Sequence, residues 1–291
     1  WAFLIYNIMI KIAIQKSGRL NEGSLNLLKN CGVNLNNGED QLKTSSANFP
    51  LEVFFLRNSD IPNYLKDGIV DLAIIGENLL IEKDLKVPIL EKLDFAKCRV
   101  SIAVPKEFEY RKIRDLNGIK IATSYPNTIK SFLVKNNIKA SLHIINGSVE
   151  IAPNIGLSDA ICDLVSSGST LFKNNLKEII KINTSEAVLV KSSILNKSKI
   201  DIIEKLRFRI RSVLKAKKSR YILLNAPNNR IKSISNILPV LKSPTVLPLE
   251  KDGWSSLHSV INEDKFWEVI DKLKEEGAED ILVCPIEKMV L

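Results

Sequence analysis

The feature that most constrains this chain is the recurrence of short runs dense in Val, Ile and Leu, separated by segments whose apolar residues fall at helical spacing. Residues 9–14, 51–56, 70–75, 98–104, 120–123, 142–145, 160–165 and 187–191 read as strands, and 20–31, 61–66, 128–136 and 194–217 as helices. A strand apolar on both faces must be covered on both. Alternating helices do this, so the pattern predicts an α/β fold with parallel strands buried under helices. Two such sets, joined near Pro105 and rejoined across 185–191, predict two lobes with a cleft: 9–104 with 185–219 in the first, 105–184 in the second. Beyond Arg220 the order becomes strand (221–225), helix (230–238), strands near 245 and at 256–260, helix (264–276) and strand (280–284). That βαββαβ order is the ferredoxin-like unit, so residues 220–291 are expected to form a separate domain.

A length of 291 residues exceeds what one core usually organises, in line with several folding units. With 45% hydrophobic and 26% charged residues, the chain is of ordinary globular composition. Its densest apolar stretch, residues 1–10, is too short for a membrane span and lacks the charge and cleavage pattern of an export signal. Residues 1–7 are set aside from the fold. Four cysteines, none in a CxxC pair, fit a reducing cytoplasm, and two histidines leave little for a histidine metal centre or a His-based acid/base pair. Charge is uneven: residues 220–291 hold 9 Lys/Arg against 11 Asp/Glu, leaving 33 against 22 for residues 1–219. A basic part could bind polyanions, but aromatics are only 6% and no basic run is interleaved with them, which argues against nucleic acid.

In sheets of this kind ligands gather beyond the carboxyl ends of the strands. At one such end an apolar strand carrying Asp159 and Asp163 runs into Ser166, Ser167, Gly168, Ser169 and Thr170. Small hydroxyl residues around a glycine let several backbone N–H groups converge on one anion, the form of a phosphate cradle, although Ser/Gly-rich turns also occur simply as turns. It is not a P-loop, since no Gly-Lys-Ser/Thr occurs. At another end lie Lys16, Ser17, Gly18 and Arg19, and Arg57 follows the strand at 51–56. Fixed cations at one sheet edge suit a polyphosphate; taken singly, each is equally a solvated loop charge. Asp71, Glu77 and Glu150 offer carboxylates for sugar hydroxyls or for water around Mg²⁺, with strand-start and helix-start roles as the structural alternatives for the first two.

Taken in order, QKSGRL at 15–20, VDLAIIGEN at 70–78, ATSYP at 122–126, NGSVE at 146–150, the segment 159–171 and ILVCPIEKM at 281–289 resemble the long form of the ATP phosphoribosyltransferase family, the first enzyme of histidine biosynthesis. The match runs from Lys11 to the end and departs at the first residues and at 34–48. The resemblance implies a two-lobed, periplasmic-binding-protein-like catalytic part, a C-terminal ACT-like domain binding L-histidine as inhibitor, and a dimer-to-hexamer oligomer. It implies transfer of a phosphoribosyl group from phosphoribosyl pyrophosphate to N1 of the adenine of ATP, with Mg²⁺ as cofactor. On it, Ser166, Ser167, Gly168, Ser169 and Thr170 are expected to hold the 5-phosphate, and Asp163 and Glu150 to face the ribose. Lys16, Ser17, Gly18, Arg19 and Arg57 are expected at the pyrophosphate or the ATP phosphates, with Asp71 as a further catalytic carboxylate. Asn225, Leu241, Ser243, Thr245 and Val260 are expected at the histidine site. The rival from another class is a two-lobed protein that senses a small anion without chemistry.

Overall fold

The computed structural model describes residues 8–36, 42–238 and 243–290. The chain divides into two compact units, residues up to 29 with 33–203, and residues 30–32 with 204–291. Elements of the first unit are, in order, β1 (Ile10–Gln15), α1 (Arg19–Asn30), β2 (Lys43–Ser45), β3 (Leu51–Leu56), α2 (Ile61–Lys66), β4 (Leu72–Gly76), α3 (Glu77–Glu82) and β5 (Ile89–Lys92). They continue with β6 (Cys98–Pro105), β7 (Lys120–Thr123), α4 (Pro126–Lys135), β8 (Ser141–Ile144), β9 (Ala160–Val165), α5 (Ser169–Lys173), β10 (Leu176–Ser185) and β11 (Ala187–Lys191). Helix α6 (Ile200–Lys217) begins here and runs into the second unit.

Two sheets build the first unit, six strands in the order β2-β3-β1-β4-β11-β5 and five in the order β10-β6-β9-β7-β8. Their centres are parallel, β3 with β1 and β1 with β4 in the first, β9 with β7 and β7 with β8 in the second. Ile12, Ala13, Ile14, Leu72, Ala73, Ile74, Ile75, Val188 and Leu189 are fully buried, which is why these strands read as unbroken apolar runs. The buried strands at these centres are parallel as expected, and antiparallel pairs flank them: β11 opposes β4 and β5, β2 opposes β3, and β6 opposes both β9 and β10. These directions follow from the connections, because β10 passes directly into β11 through Glu186 and so returns the chain from one sheet to the other. Strand β6 lies in the second sheet, so the first change of sheet falls at 93–97, not at Pro105. Helix α6 starts at Ile200, not at 194, because Asn196 accepts the Ser198 N–H at 3.0 Å and forms a short turn first.

The second unit contains β12 (Ser219–Pro227), α7 (Ile231–Ile237), β13 (Thr245–Pro248), β14 (Trp254–Asn262), α8 (Phe266–Glu275) and β15 (Glu279–Pro285). Its antiparallel sheet has the order β13-β14-β12-β15, the strand order of a ferredoxin-like βαββαβ unit. Ile222, Leu224 and Leu257 from the sheet and Ile234, Ile270 and Leu273 from the helices form its core. Both helices therefore cover one sheet face.

Candidate active site

Strand β9 delivers Val165 to the buried interior, and the chain then turns through the cradle residues into α5. Gly168 caps that helix at φ +81°, a left-handed conformation in which a side chain would be strained, and the space beside its Cα is open. Ser167 Oγ lies 3.0 Å from Ser169 Oγ, so the two hydroxyls share one side of the turn. A recess of about 210 Å³ is lined by Ser166, Ser167, Gly168, Ser169 and Thr170 together with Asp163, Glu150 and Arg19. A second recess of about 240 Å³ shares Arg19, Leu164 and Ser166 with it and extends past Gln15, Asn78 and Cys98. Residues from both sheets thus line these two adjoining recesses.

Asp163 is the electrostatically unusual group there. Burial pushes its carboxyl up to about 6, the donated Leu164 N–H at 2.8 Å opposes this, and Glu150 adds repulsion. Glu150 sits on a short 3-10 turn (Val149–Ile151) that follows Ser148, a non-glycine residue at φ +51°. Such a conformation is uncommon outside turns, and it carries the chain into that 3-10 turn.

Lys16, Ser17, Gly18 and Arg19 form the exposed link from β1 to α1. Strand ends Gln15 and Leu56 are paired, and Lys16 N–H donates to the Leu56 carbonyl at 2.8 Å, so Lys16 and Arg57 leave adjacent strands side by side. Lys16, Arg19 and Arg57 form no ion pair with a described residue. Of these, only Arg19 lines the recesses. Asp71 corrects the expectation. It precedes β4 at the opposite, amino end of the strand, 5% exposed, where it accepts the Lys11 N–H at 2.8 Å and both carboxylate oxygens meet Lys199 Nζ at 3.0 and 2.8 Å. Its role is that of a structural ion pair, far from the carboxyl ends where the cleft lies.

Several cleft residues carried no signal of their own in the sequence. Gly76 joins β4 to α3, and a Cβ there would overlap Asn78 Oδ1. Asn78 N–H donates to Ser185 Oγ at 2.9 Å, Ser185 Oγ donates to Asn78 Oδ1 at 2.9 Å, and Asn78 Nδ2 donates to Tyr125 Oη at 3.1 Å. Burial, then the Asp163 charge, push the Tyr125 phenol well above its ordinary range. Beside this bridge, Glu82 at the end of α3 accepts the Asn127 and Thr128 N–H groups, each at 2.9 Å, and so caps α4 on the other sheet. A carboxylate at a helix N-terminus satisfies orphan donors and complements the helix dipole. Of these, Gly76, Asn78 and Tyr125 lie within the VDLAIIGEN and ATSYP motifs, and Glu82, Asn127, Thr128 and Ser185 lie in neither.

Of the residues expected at a histidine site, Asn225, Thr245 and Val260 lie on the helix-free face of the second unit's sheet. Asn225 stands opposite Ser256, Val260 opposite Tyr221, and Thr245 opposite His258. Asn225 Nδ2 donates to Asp280 Oδ2 at 3.0 Å; Ser243 is exposed just before β13; Leu241 lies outside the described residues. On the same face Tyr221 Oη and His258 Nδ1 are 2.5 Å apart, and His258 Nε2 lies 3.3 Å from Ser256 Oγ.

Among the described residues no cluster of three or more His, Cys, Asp or Glu is placed to hold a metal by itself, and no helix is long and apolar enough to cross a membrane. The family model described as "ATP phosphoribosyltransferase" matches residues 57–212, and that described as "HisG, C-terminal domain" matches 216–288. An ATP phosphoribosyltransferase of Cytophaga hutchinsonii is 54% identical over 282 residues, covering 97% of this chain and 99% of the relative. One of Bacteroides fragilis is 48% identical over 283 residues, covering 97% and 100%. Among solved structures, an ATP phosphoribosyl transferase (HisG:HisZ) complex from Thermotoga maritima is similar, with TM-score 0.60 and 29% identity over 70% of this chain and 99% of that one.

Proposed function

Because this chain belongs to the ATP phosphoribosyltransferase family of histidine biosynthesis, we propose that its cleft joins N1 of the adenine of ATP to the anomeric carbon of phosphoribosyl pyrophosphate, with pyrophosphate leaving. The observation that carries this is the shared recess, in which a hydroxyl-rich turn, two carboxylates and an arginine that forms no ion pair with a described residue surround one space. Adenine N1 already holds a lone pair at neutral pH, so no strong base is needed, and among the described residues no histidine lines either recess. What the protein must supply is alignment and charge.

On this proposal Ser166, Ser167, Gly168, Ser169 and Thr170 hold the 5-phosphate, while Asp163 and Glu150 face the ribose, where negative charge favours the positive character that develops at the anomeric carbon. Arg19, Lys16 and Arg57 receive the pyrophosphate or the ATP phosphates. Two carboxylates beside a phosphate-binding turn fit a hard cation held jointly by protein and substrate oxygens, so Asp163 and Glu150 are the residues that would hold Mg²⁺. Bound there, Mg²⁺ would neutralise charge on the leaving pyrophosphate.

The second unit is proposed to bind L-histidine as feedback inhibitor on the sheet face bearing Asn225, Thr245 and Val260, within a homo-oligomer. Purified protein incubated with ATP, phosphoribosyl pyrophosphate and Mg²⁺ should form the phosphoribosyl-ATP adduct. Binding of both substrates without adduct would favour a sensor over an enzyme.

A further inference from the structure

The cradle is held from behind by a charged pair that lines neither recess. Arg99 on β6 stands opposite Val165, the last residue of β9, and opposite Thr184 of β10. Its Nη1 donates to the Ser166 carbonyl at 2.8 Å, and its Nε and Nη2 donate to the two oxygens of Glu178 at 2.6 and 2.5 Å. Glu178 is fixed in turn, since Ser101, 1% exposed, donates its hydroxyl to Oε1 at 2.7 Å. The planar guanidinium is thereby committed on two sides before it meets the loop.

We propose that Arg99, clamped by Glu178 and Ser101, is a positioning residue that orients the Ser166–Ser167 peptide so that the Ser167 N–H is presented to the phosphate of phosphoribosyl pyrophosphate. The reason is peptide geometry. In a trans peptide the carbonyl of one residue and the N–H of the next point in opposite directions, so gripping the Ser166 oxygen turns the Ser167 N–H away from Arg99. A turn without such a grip would have to order that peptide on each binding event, which costs affinity. Because Glu178 neutralises the guanidinium, Arg99 contributes orientation and little attraction. It therefore differs from Arg19, which forms no ion pair with a described residue. The proposal rests on the assignment of 166–170 as the phosphate cradle.

Arg99→Lys separates orientation from charge, since lysine keeps the charge but cannot bridge the carbonyl and both carboxylate oxygens in one plane. The expected result is a rise of about tenfold in KM for phosphoribosyl pyrophosphate, and a matching loss of ribose 5-phosphate affinity by calorimetry, with KM for ATP and kcat within about twofold. A purely structural role would lower the melting temperature and leave the KM of the folded protein unchanged. Should Arg99→Lys fail to fold, Glu178→Gln decides: it loosens the clamp while keeping the guanidinium, and should raise the same KM by a smaller factor. An unchanged KM in whichever variant folds overturns the proposal. Ser167→Asp separates this from the cradle assignment, because an anion placed in the turn should abolish ribose 5-phosphate binding. If it does so while Arg99→Lys and Glu178→Gln bind normally, Arg99 alone loses its role; if Ser167→Asp also binds normally, the cradle assignment fails and this proposal with it.

Discussion

Replacing Asp163 by Asn should make the protein more stable and less active. Burial raises this carboxyl from 3.8 to about 6, with Glu150 adding to the rise. Between about pH 4 and pH 6 the native state therefore keeps a proton that the unfolded chain has released, so stability falls as pH increases through that window and stays lower above it. A shift of roughly two units corresponds to about 3 kcal/mol, of which solvent at the incompletely buried side chain screens a part, leaving about 1–3 kcal/mol. Asparagine removes the charge but retains an acceptor for the Leu164 N–H, now donated at 2.8 Å. In urea unfolding the variant should exceed the wild type by about 1–3 kcal/mol near pH 7.5 and match it near pH 4. Adduct formation should fall by about 100-fold or more, because the charge facing the ribose is gone. An equal stability at both pH values, or the same gain at both, would refute the burial reasoning; full activity would remove Asp163 from the ribose.

Arg19→Ala should lower kcat/KM by an amount equivalent to about 2–4 kcal/mol of transition-state stabilisation while the protein stays folded; steady-state kinetics with both substrates checks this. Asp71→Asn should do the reverse, costing about 3 kcal/mol of stability by leaving Lys199 without its buried partner while kcat per folded molecule is unchanged, as denaturation and active-site titration would show. Asn225→Ala should raise the histidine concentration needed for half-inhibition by about fivefold or more without altering uninhibited kcat; an unchanged inhibition curve would move the effector away from this sheet face.

Much of the molecule was legible in the chain. Unbroken apolar runs such as 72–75 marked buried strands, because a strand covered on both faces has no solvent side to make polar. The change of order after Arg220 announced the βαββαβ unit, and a run of small hydroxyl residues around Gly168 marked the turn that opens α5. Strand β10 escaped notice for a local reason. Two register shifts, at 178/180 and 181/183, break its period of two, and as an edge strand it carries Lys, Glu and Asn along an incompletely buried length.

What the sequence alone determined, then, is which segments become strands and helices, the order of the units, and the motifs that identify the family, since these depend on side chains close together along the chain. Only the tertiary structure decided which end of a strand meets the cleft, and so separated Asp163, beside the cradle, from Asp71, paired with Lys199 at the far edge. It likewise decided that Arg99 grips Ser166, 67 residues away, and is itself held by Glu178, 79 residues away. Such partners are chosen by sheet order and register, which arise from packing the whole chain at once and leave no periodic trace in the residues that end up in contact.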